Sequence, residues 1–445
     1  MDERQPTYDE LLALVEQLRA RIAELEGELA EAKQAAARQA APFRRRDKLK
    51  KPAGEKKRPG REKGHEGSYR QVPAEIDETI EAPLACCPHC QAELQDLRRL
   101  EQVIEELPEF RPRRYKLITH EGVCPAHGPV RSTHPLQTST AVGAAGTHLG
   151  PRAQAVAVAL SHRSGMAMRN VCQTLRTFFG LSLSPGGLSQ LLARAADRTV
   201  DWYDQIAGQI RASAAVFADE TSWYVGEPGW WLWDFTTDDA TLYVVADNRS
   251  SQVVQDVLGN DFAGILVSDC LASYNPINCR KHKCIAHHLR VLKEHEEALK
   301  KRGAGSLYLT MWKMLLQDVI KTWNARDSLA PAAWTAKVEQ LNRGAANLLA
   351  ESPAEPEEVR FRDRLRRQQP HLLGCLDDPA AEPTNNRAER DLRPAVISRK
   401  ISCGNRTLAG KTTWERLRSL SVTAHKQGLD FVAALAPRLA LPAAA

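Results

Sequence analysis

Two aspartates end apolar segments of this 445-residue sequence, at positions where buried strands are expected. Asp219 interrupts the strand-like stretch "AAVFADETSWYV", and Asp269 follows the apolar run "GILVS". A buried carboxylate is costly unless it is paired or binds a metal, and two on neighbouring strands repel each other unless a cation lies between them. The pattern therefore predicts a Mg²⁺ site, because hard oxygen ligands leave coordination positions for phosphate and water. Glu220 is expected to face away from Asp219, because side chains alternate along a strand.

A third acid is expected to come from a helix within "EPTNNRAERDLRPAVISRK". Glu389 has Asn385 and Arg393 four residues to either side, on one helical face. Two structural explanations compete with a catalytic one. Asn386 and Glu389 would form a capping box at a helix start, or Glu389 and Arg393 would form an ordinary i,i+4 ion pair. The local sequence alone leaves these alternatives open.

The elements that must position these acids have the pattern of an α/β sheet with mixed strand directions. Residues 213–246 predict three consecutive strands with short turns, which is typical of an antiparallel meander. A helix at "SQVVQDVLG", the strand that precedes Asp269, a short strand at "KHKCIA" and the helix "HHLRVLKEHEEALKK" follow. Residues 301–380 predict a charged helical insertion between elements of that sheet.

Cysteines and histidines within residues 76–135 have the spacing of zinc knuckles. Cys87 and Cys90 form a C-x-x-C pair, Cys124 and His127 form a C-x-x-H pair, and "RRYKLITHEG" between them predicts a strand. This spacing predicts one tetrahedral structural zinc site with three cysteines and one histidine. Thiols that only pack are the alternative. Three further residues compete as ligands: Cys86, His89 and His120.

The N-terminal residues predict a dimerisation helix and a basic linker. A heptad over residues 8–36 has β-branched residues at two a positions and Leu at d, which favours a parallel two-stranded coiled coil. An amphipathic helix folded onto its own chain is the alternative. Residues 44–63 hold eleven Lys and Arg against three Asp and Glu. This linker suits the neutralisation of phosphate charge, and a merely solubilising role is the alternative.

Composition excludes several classes of protein. Hydrophobic residues make up 43% and charged residues 26% of the sequence, which is ordinary for a soluble globular protein. No run of about 18 apolar residues occurs, and "MDERQPTYDE" is too acidic for a signal peptide, so a cytoplasmic location is expected. Ten cysteines in a chain of this length indicate metal binding and core packing rather than a disulfide scaffold.

These motifs occur in the order of the insertion sequence 66 family of bacterial DDE transposases, which the chain resembles over nearly its whole length. The shared motifs include "ADETSW", "SDCLASY", "CIAH" and, as the most specific, "TNNRAERDLRP". The resemblance implies an RNase H-like catalytic domain whose acids are Asp219, Asp269 and Glu389. Cys270 and Gln91 depart from the family pattern, because a glycine is expected at both positions.

The resemblance and the residue patterns together predict a multidomain α/β protein. Residues 136–212 are predicted to be helical, and a helix-turn-helix DNA-binding region and a connecting helical domain both fit. The expected order is a coiled-coil helix at 1–40, a basic Gly/Pro-rich linker at 41–75, a zinc-binding module at 76–135, the helical region at 136–212, an RNase H-like domain at 213–405 with its helical insertion at about 301–380, and a C-terminal helical tail at 406–445.

The function that the resemblance implies is that of a DNA transposase of a bacterial insertion sequence. It would cleave and join DNA with two Mg²⁺ ions, which Mn²⁺ can replace, and would hold one structural Zn²⁺. Its partners would be double-stranded DNA at the element ends and target, a second copy of the chain, and accessory proteins of the same element, with no membrane. It would lie in the cytoplasm, on the nucleoid when bound to DNA. A catalytically silent DNA-binding protein and an RNase H-like nuclease that cuts without joining are the alternatives.

Further residues are expected to support the acids or to contact DNA. His287 has C-x-x-H spacing with Cys284, but Cys279 and His282 are poorly spaced to complete a second zinc site. His287 is therefore expected near the scissile phosphate or in a structural hydrogen bond. The tryptophans at 223, 230, 231 and 233 either form core or stack on flipped bases. The other supporting residues are Asn386, Arg390 and Arg393, and the expected DNA contacts are Arg44, Arg45, Arg46, Lys50, Lys51, Lys56, Lys57, Arg58, Arg61 and Lys63.

Overall fold

The structure is a computed structural model that describes residues 21, 22, 25, 72–108, 110–141, 148–378 and 380–441. Of the predicted coiled coil, Arg21, Ile22 and Leu25 are described and are helical. The rest of that helix and all of the predicted DNA contacts of the basic linker lie outside the described residues. Residues 72–112 and residues 113–441 belong to two different compact units.

The described residues of the first unit form turns and extended segments, without a helix or strand. A tight turn follows Cys87, where Gln91 N donates to Cys87 O at 2.8 Å and Cys87 N donates to Ala92 O at 3.0 Å. Gln91 closes this turn with a φ of 61°. This left-handed conformation favours glycine, which explains why a glycine is the expected residue at this position.

The second unit begins with a two-stranded antiparallel hairpin of β1 (Glu121–Cys124) and β2 (Gly128–Arg131). The strand predicted at "RRYKLITHEG" forms only at its C-terminal end. That prediction is wrong for residues 113–120, because β2 pairs with Glu121–Cys124 alone and gives the preceding residues no ladder partner.

Four helices precede the main sheet, as the sequence predicts. They are α1 (Pro151–Val158), α2 (Met168–Phe179), α3 (Pro185–Asp197) and α4 (Val200–Ala212), and a π-helical turn at Ala159–Arg163 continues α1. Ser184 is the N-cap of α3 and its Oγ accepts a hydrogen bond from Gly187 N at 3.0 Å. A proline follows at the first helical position, where its missing N–H is not needed.

A five-stranded mixed sheet has the order β5-β4-β3-β6-β7. The antiparallel meander predicted for the first three strands is confirmed, and β6 and β7 run parallel to β3. The bounds are β3 (Ala215–Val225), β4 (Glu227–Thr236), β5 (Thr241–Ala246), β6 (Asp261–Ser268) and β7 (Asn278–Lys283), with α5 (Ser251–Leu258) between β5 and β6. The chain is thus a mixed α/β protein, as predicted.

Seven α-helices follow β7 in the described part of the chain. Helix α6 precedes the predicted helical insertion, which contains α7 to α9, and these four helices enclose an apolar core with Trp312 and Phe361. Three more, α10 to α12, follow the insertion. Their bounds are α6 (Ile285–Lys301), α7 (Leu307–Asn324), α8 (Pro331–Ala350), α9 (Pro356–Arg367), α10 (Asn386–Ser402), α11 (Leu408–Lys426) and α12 (Phe431–Leu439).

Strand alternation separates the two faces of the sheet. Phe217 of β3 and Val267 of β6 belong to the core that the insertion helices enclose. Val216 and Leu266, each one residue earlier, belong to the core formed with helices such as α3, α4 and α11. Odd-numbered residues in this part of β3 and β6 therefore point to the side of the insertion.

Helix α11 covers β5, which is an edge strand of the sheet. Four helical residues rise about 6 Å, and two strand residues rise about 6.8 Å. Every fourth residue of α11 therefore lies beside every second residue of β5. Side chains at every fourth position of α11 accept hydrogen bonds from alternate β5 amides. The pairs are Thr241 N with Thr423 Oγ1 at 3.0 Å, Tyr243 N with Ser419 Oγ at 2.9 Å, and Val245 N with Glu415 Oε2 at 2.9 Å.

No helix in the described ranges combines the length and the apolar character that crossing a membrane requires.

Candidate active site

The parallel pairing of β3 with β6 sets Asp219 and Asp269 at the same level of the sheet. The last paired residues of this ladder are Phe217 and Val267. Asp219 lies two residues after Phe217, and Asp269 lies two residues after Val267. Alternation along β3 places the Asp219 side chain on the face that carries the insertion, and Asp269 directly follows the last residue of β6, Ser268. Asp219 Oδ1 accepts a hydrogen bond from Glu220 N at 2.9 Å, and Asp269 Oδ1 accepts one from Leu271 N at 2.8 Å.

Helix α10 brings Glu389 to the same place in its first turn. The helix packs against β3 and β4. Asn385, directly before α10, is fully buried, and its Nδ2 donates to Ala218 O at 2.7 Å. Its backbone N donates to Cys284 Sγ at 3.1 Å. These bonds fasten the start of α10 to the residue that precedes Asp219.

The two structural explanations for Glu389 do not describe its contacts. The N-cap of α10 is Asn385, whose side chain makes no capping hydrogen bond. Glu389 Oε1 reaches across to α6, where it forms an ion pair with the Arg290 guanidinium at 3.8 Å and lies 3.9 Å from His287 Nε2. Glu389 is therefore held between α10 and α6 rather than along its own helix.

The acids concentrate negative charge at half-buried positions. Burial raises the pKa of Asp219 well above its usual range, and the carboxylates of Glu220, Asp269 and Glu389 raise it further. Hard oxygen donors with an excess of negative charge fit a divalent cation. In the part of the chain that the structure describes, no three Asp, Glu, His or Cys side chains are gathered closely enough to hold a metal ion. The acids share a neighbourhood but do not form a preassembled coordination sphere.

Glu220 lies on the other face of β3, with partners of its own. Its carboxylate pairs with the Arg249 guanidinium and accepts a hydrogen bond from Tyr274 Oη at 2.6 Å. Burial and the nearby Asp269 raise the pKa of Glu220, whereas these two hydrogen bonds lower it. Glu220 therefore contributes to the local charge without sharing the face of Asp219.

His287 is the expected supporting residue that lies beside an acid. Burial and the Arg290 charge lower its pKa, so that the imidazole next to Glu389 favours the neutral form. The other expected supporting residues, Asn386, Arg390 and Arg393, are exposed along α10. Arg390 Nε donates to Asn386 O at 3.3 Å within the helix. These three present polar groups to solvent near the start of α10.

Two buried charged residues at the site escaped the sequence analysis. Asp234 of β4 pairs directly with Asp219 in the antiparallel ladder and is completely buried. Lys283 ends β7, is also buried, and its Nζ donates to Asp269 O at 3.0 Å and Ser268 Oγ at 3.1 Å. For Asp234 the sequence did hold a signal, because this acid lies inside the apolar run "WWLWDFTT". The same anomaly identified Asp219.

The tryptophans divide between core and half-buried positions. Trp223 and Trp233 are buried, as expected for core. Trp230 and Trp231 are half-buried, and the Arg249 guanidinium lies 4.5 Å from the ring centroid of Trp231. The main role of this group is therefore in packing, with Trp231 supporting the arginine that pairs with Glu220.

The C-x-x-H sequence at Cys284 serves structural contacts. Cys284 is buried, and its Sγ accepts the hydrogen bond from Asn385 N. His282 Nε2 lies 3.2 Å from Pro383 O. Both residues join β7 and the start of α6 to the segment that leads into α10.

Each half of the predicted zinc site is a tight turn. Cys124 and His127 lie in the turn between β1 and β2, with Cys124 Sγ 3.4 Å from His127 Nδ1. Two ligands of one tetrahedral zinc lie roughly 3.5 Å apart at usual Zn–S and Zn–N lengths. In the first unit, backbone N–H groups of His89 and Cys90 lower the pKa of the Cys87 thiol. A thiol whose anion is stabilised in this way suits metal ligation.

Comparison with known proteins identifies the family of this chain. Residues 146–413, more than half of the chain, match the family model described as "Transposase IS66 family". The "Uncharacterized protein y4jD" of Sinorhizobium fredii (strain NBRC 101917 / NGR234) is 24% identical over 300 residues, which are 58% of this chain and 56% of that protein. The chain thus spans about half the length of this curated relative. The segment matched by the family model contains Asp219, Asp269 and Glu389.

Proposed function

We propose that this chain, which belongs to the transposase IS66 family, is the DNA transposase of a bacterial insertion sequence. It would bind the ends of its element and catalyse metal-dependent strand cleavage and strand transfer. The observation that carries the proposal is the convergence of three acids from separate elements: Asp219 and Asp269 two residues beyond one strand pair, and Glu389 in the first turn of α10. Their shared negative charge supports a role in binding divalent cations.

In this proposal Asp219, Asp269 and Glu389 hold two Mg²⁺ ions, for which Mn²⁺ can substitute. When bound, such ions lower the pKa of an attacking water or 3′-OH and stabilise the leaving oxygen. The protein's own contribution is to keep the acids in place. Arg290 pairs with Glu389 from α6, with His287 Nε2 beside it at 3.9 Å, and neighbouring backbone amides orient the two aspartates.

Two buried residues position the elements that carry the acids. The Asn385 amide joins the start of α10 to β3 at Ala218, which ties the position of Glu389 to that of Asp219. Lys283 donates to the backbone oxygen of Asp269 and so fixes the turn after β6. The site therefore rests on strand β3, the end of β6 and the start of α10 rather than on long loops, which favours a reproducible geometry.

DNA binding is proposed for regions that precede the acids in the chain. The basic residues between Arg44 and Lys63 would neutralise phosphates, and a zinc ion on Cys87, Cys90, Cys124 and His127 would stabilise a small module. The coiled coil at residues 8–36 would join two copies of the chain. Accessory proteins of the same element would complete the assembly.

Transposition is preferred over two rival functions. A silent DNA-binding protein would not need Asp219, Asp269 and Glu389 gathered so closely that the carboxylates of Asp269 and Glu389 raise the pKa of Asp219. A nuclease of the same fold would cut DNA but would not use the new 3′-OH as a nucleophile. The joining step therefore separates transposase from nuclease.

The test is incubation of the full-length protein with its flanking element ends and Mg²⁺, scored for nicking and for strand transfer. The expected result is both products for the wild type and neither for Asp219→Asn, Asp269→Asn or Glu389→Gln, with DNA binding retained in all three. These amides keep the side-chain shape but remove an anionic ligand. Cleavage and joining by all three variants would refute the proposed triad, and cleavage without any joining would favour the nuclease.

A further inference from the structure

Asp234 is a fourth acid on the face of the sheet that carries Asp219. The two residues are direct partners in the β3–β4 ladder, so their Cβ atoms are about 4.5–5.5 Å apart. Asp234 has no exposed surface. Neither of its carboxylate oxygens has a hydrogen-bond partner within the described residues. An acid in this condition is unusual, because buried polar groups are nearly always paired.

A nearby acid shows how the same fold treats a structural carboxylate. Asp391 of α10 also approaches β4 and β5, but its Oδ2 accepts hydrogen bonds from Thr236 Oγ1 at 2.6 Å and Thr241 Oγ1 at 2.9 Å. Lys426 Nζ lies 2.7 Å from the same oxygen. Thr236 is only two residues from Asp234 on the same strand face, yet its hydroxyl serves Asp391. The fold therefore satisfies one acid fully and leaves its neighbour without a partner.

We propose that Asp234 is a fourth carboxylate of the divalent-cation site and that the cation held by Asp219 is its missing partner. This inference rests on the proposed function, because it requires Asp219 to bind a divalent cation such as Mg²⁺ or Mn²⁺. Asp234 reaches the site from β4, a strand that contributes none of the other three acids. Its charge raises the affinity of the site for the cation.

Asp234 has no counter-ion among the side chains that the structure describes. Neither of its carboxylate oxygens meets a hydrogen-bond donor there. Lys426, which approaches the neighbouring Asp391, has its ammonium bonded to Asp391 and to Thr237 O at 2.7 Å.

The proposal gives the apo and metal-bound proteins opposite responses to one substitution. Asp234→Asn removes a charge that repels Asp219 when no cation is present, so the Tm in EDTA should rise. The same substitution removes an anionic group from the cation site, so Mn²⁺ binding should weaken by at least about tenfold. A purely structural acid would show a change in Tm without a change in Mn²⁺ affinity.

The experiment measures Mn²⁺ binding to the full-length protein by electron paramagnetic resonance, and Tm in EDTA and in Mg²⁺. Asp219→Asn is the positive control and should abolish tight binding. Asp391→Asn is the matched control. It loses well-formed hydrogen bonds, so its Tm in EDTA should fall while its Mn²⁺ affinity stays within about threefold of wild type. If Asp234→Asn does not fold, Asp234→Ser tests the same loss of charge with a smaller side chain.

Three results are decisive. Weaker Mn²⁺ binding by folded Asp234→Asn, with Asp391→Asn close to wild type, supports the fourth carboxylate. Wild-type affinity in Asp234→Asn, together with lost binding in Asp219→Asn, overturns this inference and leaves the proposed function intact. Mn²⁺ binding that is absent from the wild type, or unaffected by Asp219→Asn, overturns both.

Discussion

Glu220 and Arg249 form an ion pair on the face of β3 opposite to Asp219. The Glu220 side chain is only 2% exposed, whereas the Arg249 side chain is 39% exposed and lies over Trp231. Tyr274 Oη donates a further hydrogen bond to the Glu220 carboxylate at 2.6 Å. Two acids that are adjacent in sequence thus have opposite surroundings: Glu220 has protein partners, and Asp219 has mainly other acids around it.

The first prediction follows from this difference. Glu220→Gln weakens the hydrogen bonds that Arg249 and Tyr274 donate to the charged carboxylate, so the free energy of unfolding should fall by about 1–3 kcal/mol. Cleavage and joining per folded molecule should survive, because the side chain does not face the site. Urea unfolding and activity normalised to folded protein measure the two effects. Loss of activity in Glu220→Gln with full activity in Asp219→Asn would mean that Glu220, not Asp219, is the catalytic acid.

The second prediction concerns the stability of the metal-free protein against pH. The raised pKa of Asp219 means that the folded protein holds this proton more tightly than the unfolded chain, in which an Asp pKa is about 4. Stability should therefore be lost as pH rises from about 4 through the raised pKa. Asp219→Asn removes this loss, so in EDTA its Tm should exceed that of wild type at pH 8 and approach it near pH 4.

The comparison between the two proteins isolates the aspartate. Burial lowers the pKa of His162 to about 3 and of His282 to about 4, which makes both proteins less stable as pH falls below about 6.5. This effect is common to wild type and variant, so it cancels in the difference between their Tm values. A difference in Tm that stays constant from pH 4 to pH 8 would contradict the prediction.

Local sequence predicted most elements of the sheet and the two aspartates that β3 and β6 bring to the site. Strand formers, turn residues and the acids Asp219 and Asp269 all lie in short segments whose pattern is visible without the rest of the chain. Asp234 was missed because its meaning depends on pairing: the register of β4 decides that it lies opposite Asp219. The sequence "WWLWDFTT" shows an anomalous acid but does not show which residue faces it.

The sequence analysis also missed contacts between residues that lie far apart in the chain. The predicted C-terminal tail includes α11, which supplies the side chains that bind the outer amides of β5. The contacts join residues about 170–182 positions apart, so no local pattern reports them. The same holds for Glu389, whose partners Arg290 and His287 lie on a helix before the insertion.

The third prediction is one zinc ion per chain that requires both the Cys87–Cys90 turn and the Cys124–His127 turn. Cys124→Ser and Cys87→Ser should each remove zinc, because either change deletes an anionic sulfur ligand. Cys403→Ser alters an exposed cysteine and should leave the zinc content unchanged. Elemental analysis of the purified proteins gives the result. Zinc that persists in Cys124→Ser would reject this ligand set, and zinc lost with Cys86→Ser but not with Cys87→Ser would shift the first ligand by one residue.

The fourth prediction tests parallel dimerisation through residues 8–36. Lys at the d positions Leu18 and Leu25 would bury charge in the helix seam, which is strongly unfavourable, so sedimentation should show a lower-order species. Lys at Ala20 and Gly27 provides the control, since these f positions have the same seven-residue spacing but face solvent. An unchanged oligomeric state in the d-position variant would show that the helix packs elsewhere.

The fifth prediction is that the β5 edge depends on the side chains of α11. Ser419 Oγ accepts from Tyr243 N at 2.9 Å and donates to Glu415 O at 2.6 Å within its own helix. Ser419→Ala leaves the buried Tyr243 amide without a partner, so the free energy of unfolding should fall by about 1–3 kcal/mol. Hydrogen exchange at the Tyr243 amide should also accelerate, because an unbonded edge amide opens more readily.

Thr413 provides the matched control for this substitution. Its Oγ1 donates to Ala409 O at 2.8 Å, the same bond to a carbonyl four residues earlier that Ser419 makes, but it caps no strand amide. Thr413→Ala should therefore change the free energy of unfolding by no more than about 0.5 kcal/mol. Equal losses in the two variants would attribute the effect of Ser419→Ala to the helix itself. A loss confined to Ser419→Ala would show that α11 stabilises the sheet by completing the hydrogen bonds of its edge, which also blocks that edge from pairing with another chain.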